Sequence, residues 1–404
     1  AIMKKVILLF ILFMLPSTSV FAASSVVAIK ENEIVAIHLE QNNKVITLNK
    51  GEDFFNPKIF DNKQFVAYQD LKSNVYLSKL NDPFDTIFQM SDVKSYTLYG
   101  NNLIFSKSEG GIFLYDMSKN KVISLIEKSK YYYDELTINS QGLLFAKKYL
   151  IREYSPLGII QYDLNKKTES LIIDYIPITK DDIGMDPSIA KLSTNGELLY
   201  IWCEPNSASQ RMDGVPLCVY DVKTKEFKTF NQIKMLVYPD NLAIHPTNDD
   251  LIAVINGTWR MMNENKQLQL FNPMNEQIEN ITKPGIVAMS PSFSQDGTRL
   301  YYSAGIEVKD QYTTFVPGSN QIYVYDLNTK KTEKLTNDLT GFDFYPQEIE
   351  NEELLFLRFD KDHQLSLVRR ENKGEESIIL TNLLTTNFEV YGHLDSYQIL
   401  SVKY

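Results

Sequence analysis

The sequence has 404 residues, 44% of them hydrophobic, and carries 51 acidic against 41 basic side chains, a formal net charge of −10. A chain of this size can bury a large core, and its acidic balance argues against nucleic acid and anionic lipid as main partners, because both require a basic face. With 24 tyrosines and 22 phenylalanines the composition is typical of a β-rich protein. Since no Pro/Gly/Ser-rich linker divides the chain, we expect one domain over residues 24–404.

The first 23 residues have the pattern of a secretory signal peptide. Lys4 and Lys5 precede an apolar run at 6–15, and small residues end in Ala22 and Ala23. The run is shorter than the roughly 20 residues of a membrane-spanning helix. We therefore predict cleavage near Ala22 or Ala23. The product would be secreted or periplasmic, or lie in the cell envelope, with no membrane span.

A short phrase recurs along the rest of the chain. Tyr-Asp-Leu-Asn-Lys-Lys-Thr-Glu at 162–169 returns in altered form at 220–226 and 325–333, with weaker copies at 115–121 and 271–276. Each copy follows a β-branched, apolar run, which predicts a strand, and its Asp or Asn predicts a turn because a short acceptor side chain can bind nearby backbone N–H groups. Each phrase therefore predicts a hairpin with an exposed outer strand.

A second hairpin precedes the phrase in several copies. Asp296-Gly297 is a tight-turn signal between two apolar runs, and Asn195-Gly196 occupies the same place in another copy. Two hairpins per repeat make a four-stranded antiparallel sheet, which is one blade of a β-propeller. The sequence therefore predicts an all-β protein of this class.

The hairpin turns of the repeated phrase give the number of blades. We place them at Glu40, Asn81, Asp116, Asp163, Asp221, Asn272, Asp326 and Glu371. Their mean spacing is about 47 residues, within the ~40–50 residues of propeller repeats. This predicts eight blades, or seven if the weak copy around Asn81 is not a turn. Three strand-like segments near the start, at 26–29, 34–39 and 44–48, and two near the end, at 388–391 and 398–402, would together make one blade that both termini close.

The segment Pro-Ser-Phe-Ser-Gln-Asp-Gly at 291–297 resembles the repeat of the TolB-like β-propeller proteins, with Gln295 where that family has proline. Degraded copies stand at 187–196 and 243–247, and the resemblance is sharpest over 186–340. It implies the propeller fold but no single function, because this repeat serves scaffolds and peptidase propellers alike. TolB itself has an additional N-terminal α/β domain, whereas strands follow the leader directly here, so its role is not implied.

Cys203 and Cys218 fall on neighbouring predicted strands of one blade. In an oxidising compartment a disulfide between them would close the loop at 204–216. Two buried free thiols in offset register are the alternative.

The sequence contains no G-x-S-x-G, H-E-x-x-H or C-x-x-C pattern, and its four histidines are far apart. We therefore predict no metal and no cofactor. A propeller lyase or hydrolase that acts on an extracellular polysaccharide or peptide at the central channel remains the alternative function.

The favoured function is binding. Long connections between the second and third strands of consecutive blades are predicted at 147–158, 204–216, 256–266 and 305–320, all on one rim. Aromatic, Met and Arg residues are enriched at interface hot spots. The predicted binding residues are Tyr149, Arg152, Tyr154, Arg211, Met212, Trp259, Arg260, Met261, Tyr312 and Phe315, with Met262 beside them. We predict a monomer that binds a protein, peptide or glycan there; ordinary loops packed on one another are the alternative.

Overall fold

The computed structural model describes residues 24–309, 315–350, 352–385 and 391–404. The predicted leader and Tyr312 lie outside these residues. Within them the chain forms eight four-stranded antiparallel sheets. No helix in this part of the chain has the length and apolar character needed to cross a membrane.

The first sixteen strands are β1 (Ser25–Lys30), β2 (Glu33–His38), β3 (Lys44–Lys50), β4 (Phe54–Ile59), β5 (Phe65–Asp70), β6 (Val75–Lys79), β7 (Thr86–Met90), β8 (Val93–Tyr99), β9 (Asn102–Lys107), β10 (Ile112–Asp116), β11 (Lys121–Ile126), β12 (Tyr131–Ile138), β13 (Leu143–Leu150), β14 (Ser155–Asp163), β15 (Thr168–Asp174) and β16 (Asp186–Leu192). The next sixteen are β17 (Leu198–Glu204), β18 (Val215–Asp221), β19 (Phe227–Met235), β20 (Leu242–Ile244), β21 (Ile252–Asn256), β22 (Gln267–Phe271), β23 (Ile278–Asn280), β24 (Ile286–Phe293), β25 (Arg299–Ile306), β26 (Asn320–Asp326), β27 (Thr332–Lys334), β28 (Phe342–Glu350), β29 (Glu353–Phe359), β30 (Leu365–Arg370), β31 (Glu376–Leu380) and β32 (Leu400–Lys403). The helical segments are α1 (Ala208–Met212) and three 3₁₀ turns, Leu39–Gln41, Pro239–Asn241 and Ser396–Gln398.

The sheets are the blades of a ring. Blades 1 to 7 each take four consecutive strands, from β4–β7 to β28–β31, and the first strand of each is innermost. Blade 8 has the order β32-β1-β2-β3, with Ala28 paired to Leu400, so strands from both ends of the chain close it. The eight-bladed prediction is confirmed, and the weak copy around Asn81 is a turn between β6 and β7.

The core lies between neighbouring blades, which pack face to face. All seven residues of β17 are buried, whereas the outermost strand β15 is largely exposed. Trp202 of blade 4, for example, packs in one cluster with Leu242 of blade 5. Each large apolar side chain buried this way contributes about 2 kcal/mol to stability. The alternation of buried middle strands and exposed outer strands explains why the repeated phrase is polar.

The repeated phrase forms the turn between the third and fourth strands. Asp163 Oδ1 accepts hydrogen bonds from the backbone N–H groups of Asn165 and Lys166, at 2.9 and 3.1 Å. The same pair of bonds recurs at Asp116, Asp221, Asn272 and Asp326. The recurrence of the phrase therefore reflects one local hydrogen-bonding pattern, repeated around the ring.

Candidate functional site

The inner strands line a central channel, and six of the eight depart from regular pairing. In six blades the inner strand has a bulge, at 55–58, 93–95, 134–137, 189–191, 289–292 and 344–347. In blades 5 and 8 a 3₁₀ turn, Pro239–Asn241 or Ser396–Gln398, stands before the inner strand. We call these eight segments the collar. Because a bulge re-aims side chains, the collar directs residues into the channel.

Part of the collar is held in an unfavourable backbone conformation. Asn56, Glu135, Ser290 and Tyr345 have φ values of 55°, 56°, 51° and 54°. This left-handed region costs a residue other than glycine up to about 1–3 kcal/mol, and it persists only where the surroundings fix it. The collar is therefore held in place by its contacts.

Those contacts join one blade to another. They are Lys58 Nζ to the Tyr96 carbonyl, Leu136 N–H to Ser95 Oγ, Ile189 N–H to Glu135 Oε2, Lys191 Nζ to the Leu242 carbonyl, Ser290 N–H to Asn241 Oδ1 and Ser396 N–H to Asp240 Oδ2. They link blades 1 to 6 in sequence and tie blade 8 to blade 5. Ionisable side chains thus supply bonds that a regular strand would leave to the backbone.

Two lysines of the collar have altered acidity. Burial lowers the pKa of Lys58 to about 8. Its Nζ atom lies 2.9 Å from the Tyr96 carbonyl oxygen and 4.5 Å from the centroid of the Tyr96 ring. Burial also lowers the pKa of Lys191, an effect that the charge of Asp240 opposes. Both amines are therefore easier to deprotonate than surface lysines.

Two carboxyl groups of the collar titrate near neutrality. Burial raises the pKa of Glu135 to about 7, against the opposing charge of Lys147. Burial likewise raises the pKa of Asp240 to about 6, with His393 and Lys191 opposing the shift. Such values suit groups that exchange protons at physiological pH.

Two cavities of about 640 and 650 Å³ occupy the channel, and both are bordered by Lys191 and Tyr397. The first is also lined by Lys58 and Glu135, and the second by Asp240. Volumes of roughly 300–1,000 Å³ are typical of sites for small molecules. The collar is therefore a candidate binding or catalytic site.

The seam between blades 3 and 4 carries a buried charge cluster. Lys147 is 3% exposed, and its Nζ lies 2.8 Å from Asp186 Oδ1. Glu204 accepts a 2.7 Å bond from Ser188 Oγ and pairs with Arg211 Nε at 2.6 Å. Burial raises the pKa of Glu204 although Ser188 and Arg211 oppose the shift. The predicted binding residue Arg211 is thus partly committed to an internal ion pair.

The loop prediction needs one correction. Residues 147–158 form no long loop, because β13 and β14 run through them and leave the turn 151–154. Polar residues of this segment that suggested a loop lie in the strands instead; Lys147, for example, pairs with Ile159 across β13 and β14. The other three predicted connections do join the second and third strands of blades 4, 5 and 6. We call the described residues of these three connections, with Tyr391, the rim.

The exposure predicted for some rim residues is also wrong. Met261, Met262 and Phe315 are buried. The Phe315 ring packs edge-to-face on Phe342, with centroids 4.6 Å apart, and lies 4.4 Å from Phe359. These side chains are apolar anchors beneath the loops and are unavailable to a partner.

Trp259 and Arg260 occupy the outer surface of the rim. Arg260 donates two hydrogen bonds to Asp213, Nε to Oδ1 at 2.8 Å and Nη2 to Oδ2 at 2.9 Å, which lowers the pKa of that carboxyl. The guanidinium lies 5.6 Å from the Trp259 ring and 5.7 Å from the Tyr391 ring. The pair joins the loops of blades 4 and 5.

Trp259 itself has a φ of 81° and is 41% exposed. Its backbone is fixed from both sides, since its N–H donates to the Asp213 carbonyl at 2.9 Å and its carbonyl accepts from Lys266 Nζ at 2.7 Å. The buried Lys266 also donates to the carbonyl of Glu264. The loop thus holds an indole at the surface in a conformation that it would not adopt alone.

A hollow of about 330 Å³ lies where α1 faces the residues that follow β19. Its lining is Ala208, Arg211, Met212, Leu236, Val237 and Tyr238. The Tyr238 ring stacks on His393 with centroids 3.5 Å apart. Arg211 and Met212 therefore border one hollow. The next residue, Asp213, accepts the two hydrogen bonds from Arg260.

The three predicted residues of blade 3 form a separate group. Tyr149 lies in β13 and stacks on Tyr132 with centroids 4.7 Å apart. Tyr154 is 76% exposed, and its ring lies edge-on to Tyr132 at 6.4 Å. Arg152 is exposed at the turn between β13 and β14. The ten predicted residues therefore do not make one continuous patch.

Cys203 and Cys218 are joined by a disulfide, with Cα atoms 6.2 Å apart. They lie on the adjacent strands β17 and β18, where Cys218 pairs directly with Ile201 rather than with Cys203. The bond closes the base of the loop that contains α1. Within the described ranges, no group of three or more His, Cys, Asp or Glu side chains is placed to hold a metal ion.

Sequence reasoning missed the collar. Three prolines could have indicated it, because proline in a strand marks an edge or a bulge. They stand in Asn56-Pro57, Ser290-Pro291 and Tyr345-Pro346. Glu135 and Lys58 carried no comparable signal, since nothing local distinguishes them from surface charges. Their burial follows only from ring closure.

No protein-family model matches the chain, and no curated protein matches its sequence. Solved structures do match. Dipeptidyl peptidase 4 of Porphyromonas gingivalis is 12% identical with a TM-score of 0.57, over 81% of this chain and 53% of that one. An oligogalacturonate lyase in complex with manganese is 14% identical with a TM-score of 0.47, over 82% and 86%. A putative TolB from Agrobacterium tumefaciens is 10% identical with a TM-score of 0.37, over 95% and 98%.

These similarities concern the fold alone. The chain spans about half the length of the peptidases that it matches. TolB proteins are also among the matching structures. The similarity in fold is supported by the match to dipeptidyl peptidase 4, whose TM-score exceeds 0.5.

Proposed function

We propose that this protein is an exported interaction module that binds a polypeptide segment on the rim. Trp259 carries the proposal. Its exposed indole is kept in a strained backbone conformation by Asp213 and Lys266. Tryptophan and arginine are the residues most enriched at binding hot spots, and Arg260 lies against the same indole.

The rim is also prepared for a partner. Because Asp213 holds Arg260 in a two-bond pair, the loops of blades 4 and 5 are positioned before binding. Rigidity of this kind reduces the entropy lost on association. The hollow bordered by Met212 and Tyr238 fits an apolar side chain of the partner. A polypeptide matches it better than a glycan, whose hydroxyl groups would need polar partners there.

Two features support export and a monomeric state. A disulfide between Cys203 and Cys218 is typical of proteins from oxidising compartments, in agreement with the signal-peptide pattern at 1–23. The fourth strands, which are the edges of the sheets, carry exposed charged residues, as in β15, and this discourages edge-to-edge pairing.

The test selects peptides from a displayed random library on residues 24–404 and measures their affinities for variants. Trp259→Ala should weaken binding by about tenfold or more, as expected for a hot-spot residue. The matched control is Phe84→Ala, which removes an exposed ring at a turn between third and fourth strands, on the opposite face. Equal weakening by both variants, or unchanged binding in Trp259→Ala, would reject the rim as the site.

One observation favours the alternative function, an enzyme that acts in the channel. Glu135, with its pKa near 7, borders a cavity together with Tyr397, and a carboxyl group in that range is suited to general acid–base chemistry. Acidic polysaccharides and peptides incubated with the protein would reveal such an activity. Glu135→Gln should abolish it, whereas Trp259→Ala should leave turnover of small substrates intact.

A further inference from the structure

We propose that the central channel contains a binding site for a small anion, a carboxylate or phosphate group, at the cavity bordered by Lys58 and Lys191. This site is distinct from the rim. It would exist whether or not the rim binds a polypeptide or the channel has catalytic activity.

The cavity is lined by more basic than acidic side chains. Its ionisable lining residues are Lys58, Lys94, Lys191, Asp134 and Glu135, with the tyrosines Tyr96 and Tyr397. Three ammonium groups thus face two carboxyl groups, in a chain whose formal net charge is −10. A cationic cleft in an acidic protein attracts anions that the outer surface repels.

The second step is unused hydrogen-bonding capacity. Lys58 and Lys191 each donate to one carbonyl of the next blade, although an ammonium group has three N–H donors. Among the residues that the structure describes, neither lysine forms an ion pair with a carboxylate. Lys94 differs, because its Nζ lies 3.6 Å from Asp134. Each of the two lysines therefore retains donors for a ligand.

The carboxyl groups of the cavity do not cancel these charges. Asp134 faces Lys94, and Glu135 accepts a 2.6 Å bond from the Ile189 N–H. Because burial raises the pKa of Glu135 to about 7, a substantial share of this group is protonated at neutral pH. Lys58, with a pKa of about 8, is itself mostly protonated at neutral pH.

The remaining lining suits an oxyanion. Polar groups that can donate hydrogen bonds are Asn56, Ser95, Thr137, Ser193 and Thr194. Compact, strongly hydrated lysine charges surrounded by hydroxyl groups recognise carboxylate and phosphate oxygens alike. The inference is therefore to this shared chemistry.

Bonding between blades is the competing account, since Lys58 and Lys191 also tie neighbouring blades together. The accounts differ in pH dependence. Anion binding should weaken as pH rises through 8, where Lys58 loses its proton. For succinate, which unlike phosphate changes its charge little in this range, binding should strengthen as pH falls from 7 to 6, where Glu135 and Asp240 gain protons.

The experiment titrates residues 24–404 calorimetrically with inorganic phosphate and separately with succinate, at constant chloride. Lys58→Met and Lys191→Met should each lower the affinity by about tenfold or more, the usual effect of losing a bond to a charged group. Lys121→Met, which removes an exposed lysine from the outer strand β11, is the control and should bind as the parent does. Binding of phosphate alone identifies a phosphoryl ligand, and binding of succinate alone a carboxylate ligand.

A second measurement on the unaltered protein avoids the risk that these variants fail to fold. Acetylation of amines, read by peptide mass spectrometry, should slow at Lys58 and Lys191 when the bound anion is present and stay constant at Lys121. Absence of binding by both anions, together with equal acetylation with and without them, would overturn the proposal. The lysines would then serve only as ties between blades.

Discussion

The outer turns and the collar both hold a bent backbone in place, but the hydrogen bonds that do so differ between the two regions. Five outer turns repeat one pair of bonds from an Asp or Asn side chain to the backbone two and three residues on. In the collar, almost every seam between blades uses a different donor and acceptor; the bonds of Lys58, Glu135 and Asp240 are examples. The outer turns therefore repeat one local pattern, whereas the contacts of the collar differ from blade to blade.

Energetically the two regions also differ. An outer turn is exposed, and its backbone N–H groups find their acceptor within a few residues. Loss of these hydrogen bonds therefore affects only the turn itself. The collar and the inner strands place charges where water is scarce, and removing one partner leaves the other buried without compensation. We therefore expect single substitutions near the channel to cost more than single substitutions at the turns.

The largest effect is expected at Asp343 of inner strand β28. Its carboxylate is fully buried and accepts two bonds from Arg358, Nε at 2.6 Å and Nη2 at 2.9 Å. Arg358→Met should lower the free energy of unfolding by about 3–5 kcal/mol, because it leaves a buried charge without its partner. Denaturant unfolding, followed by tryptophan fluorescence, measures the change.

A double variant sharpens this test. Arg358→Met combined with Asp343→Leu should recover part of the loss, since apolar replacement of both partners removes the uncompensated charge. The control outside the collar is Lys330→Met, which breaks an exposed ion pair with Glu279 and should cost under about 1 kcal/mol. Equal losses at Arg358 and Lys330 would remove the energetic distinction between the two regions.

The disulfide between the second and third strands of blade 4 gives an intermediate effect. Its loop of 15 residues predicts a stabilisation of about 3 kcal/mol, chiefly by restricting the unfolded chain. Cys203→Ser with Cys218→Ser should lower the unfolding midpoint accordingly and loosen the loop that holds α1. Mass spectrometry of non-reduced protein checks the bond itself, and two free thiols would contradict it.

Glu135 should make stability depend on pH. Its folded pKa of about 7 exceeds the ordinary 4.5, so the folded state binds more protons between these values and loses stability as pH rises through them. Since one pKa unit is worth about 1.4 kcal/mol, Glu135→Gln should gain about 3 kcal/mol relative to the parent between pH 4.5 and 8. Unfolding curves at several pH values measure this gain, and a constant difference between the two proteins would contradict it.

The same contrast explains what the sequence could and could not predict. Blade number followed from Asp163, Asp221 and their counterparts, because each turn is determined by residues within a few positions. Burial of Phe315 could not be read locally, since its neighbours Phe342 and Phe359 are distant in sequence. The collar depends on contacts between blades in the same way, so its lysines and carboxyl groups resembled surface charges until the ring was closed.

The smallest effect, and the most specific, is expected at an outer turn. Asp221→Ala removes an acceptor that binds the backbone N–H groups of Lys223 and Thr224, each at 2.9 Å. Two exposed bonds should contribute about 1 kcal/mol together. Asp221→Asn should be nearly neutral, because the chain already uses Asn272 with the same two bonds in the next blade. Urea unfolding of the three proteins tests this order. If Asp221→Asn lowers the free energy of unfolding as much as Asp221→Ala, the carboxylate charge and not the acceptor geometry maintains the turn. If only Asp221→Ala lowers it, the repeated phrase is a hydrogen-bonding pattern that each blade satisfies independently.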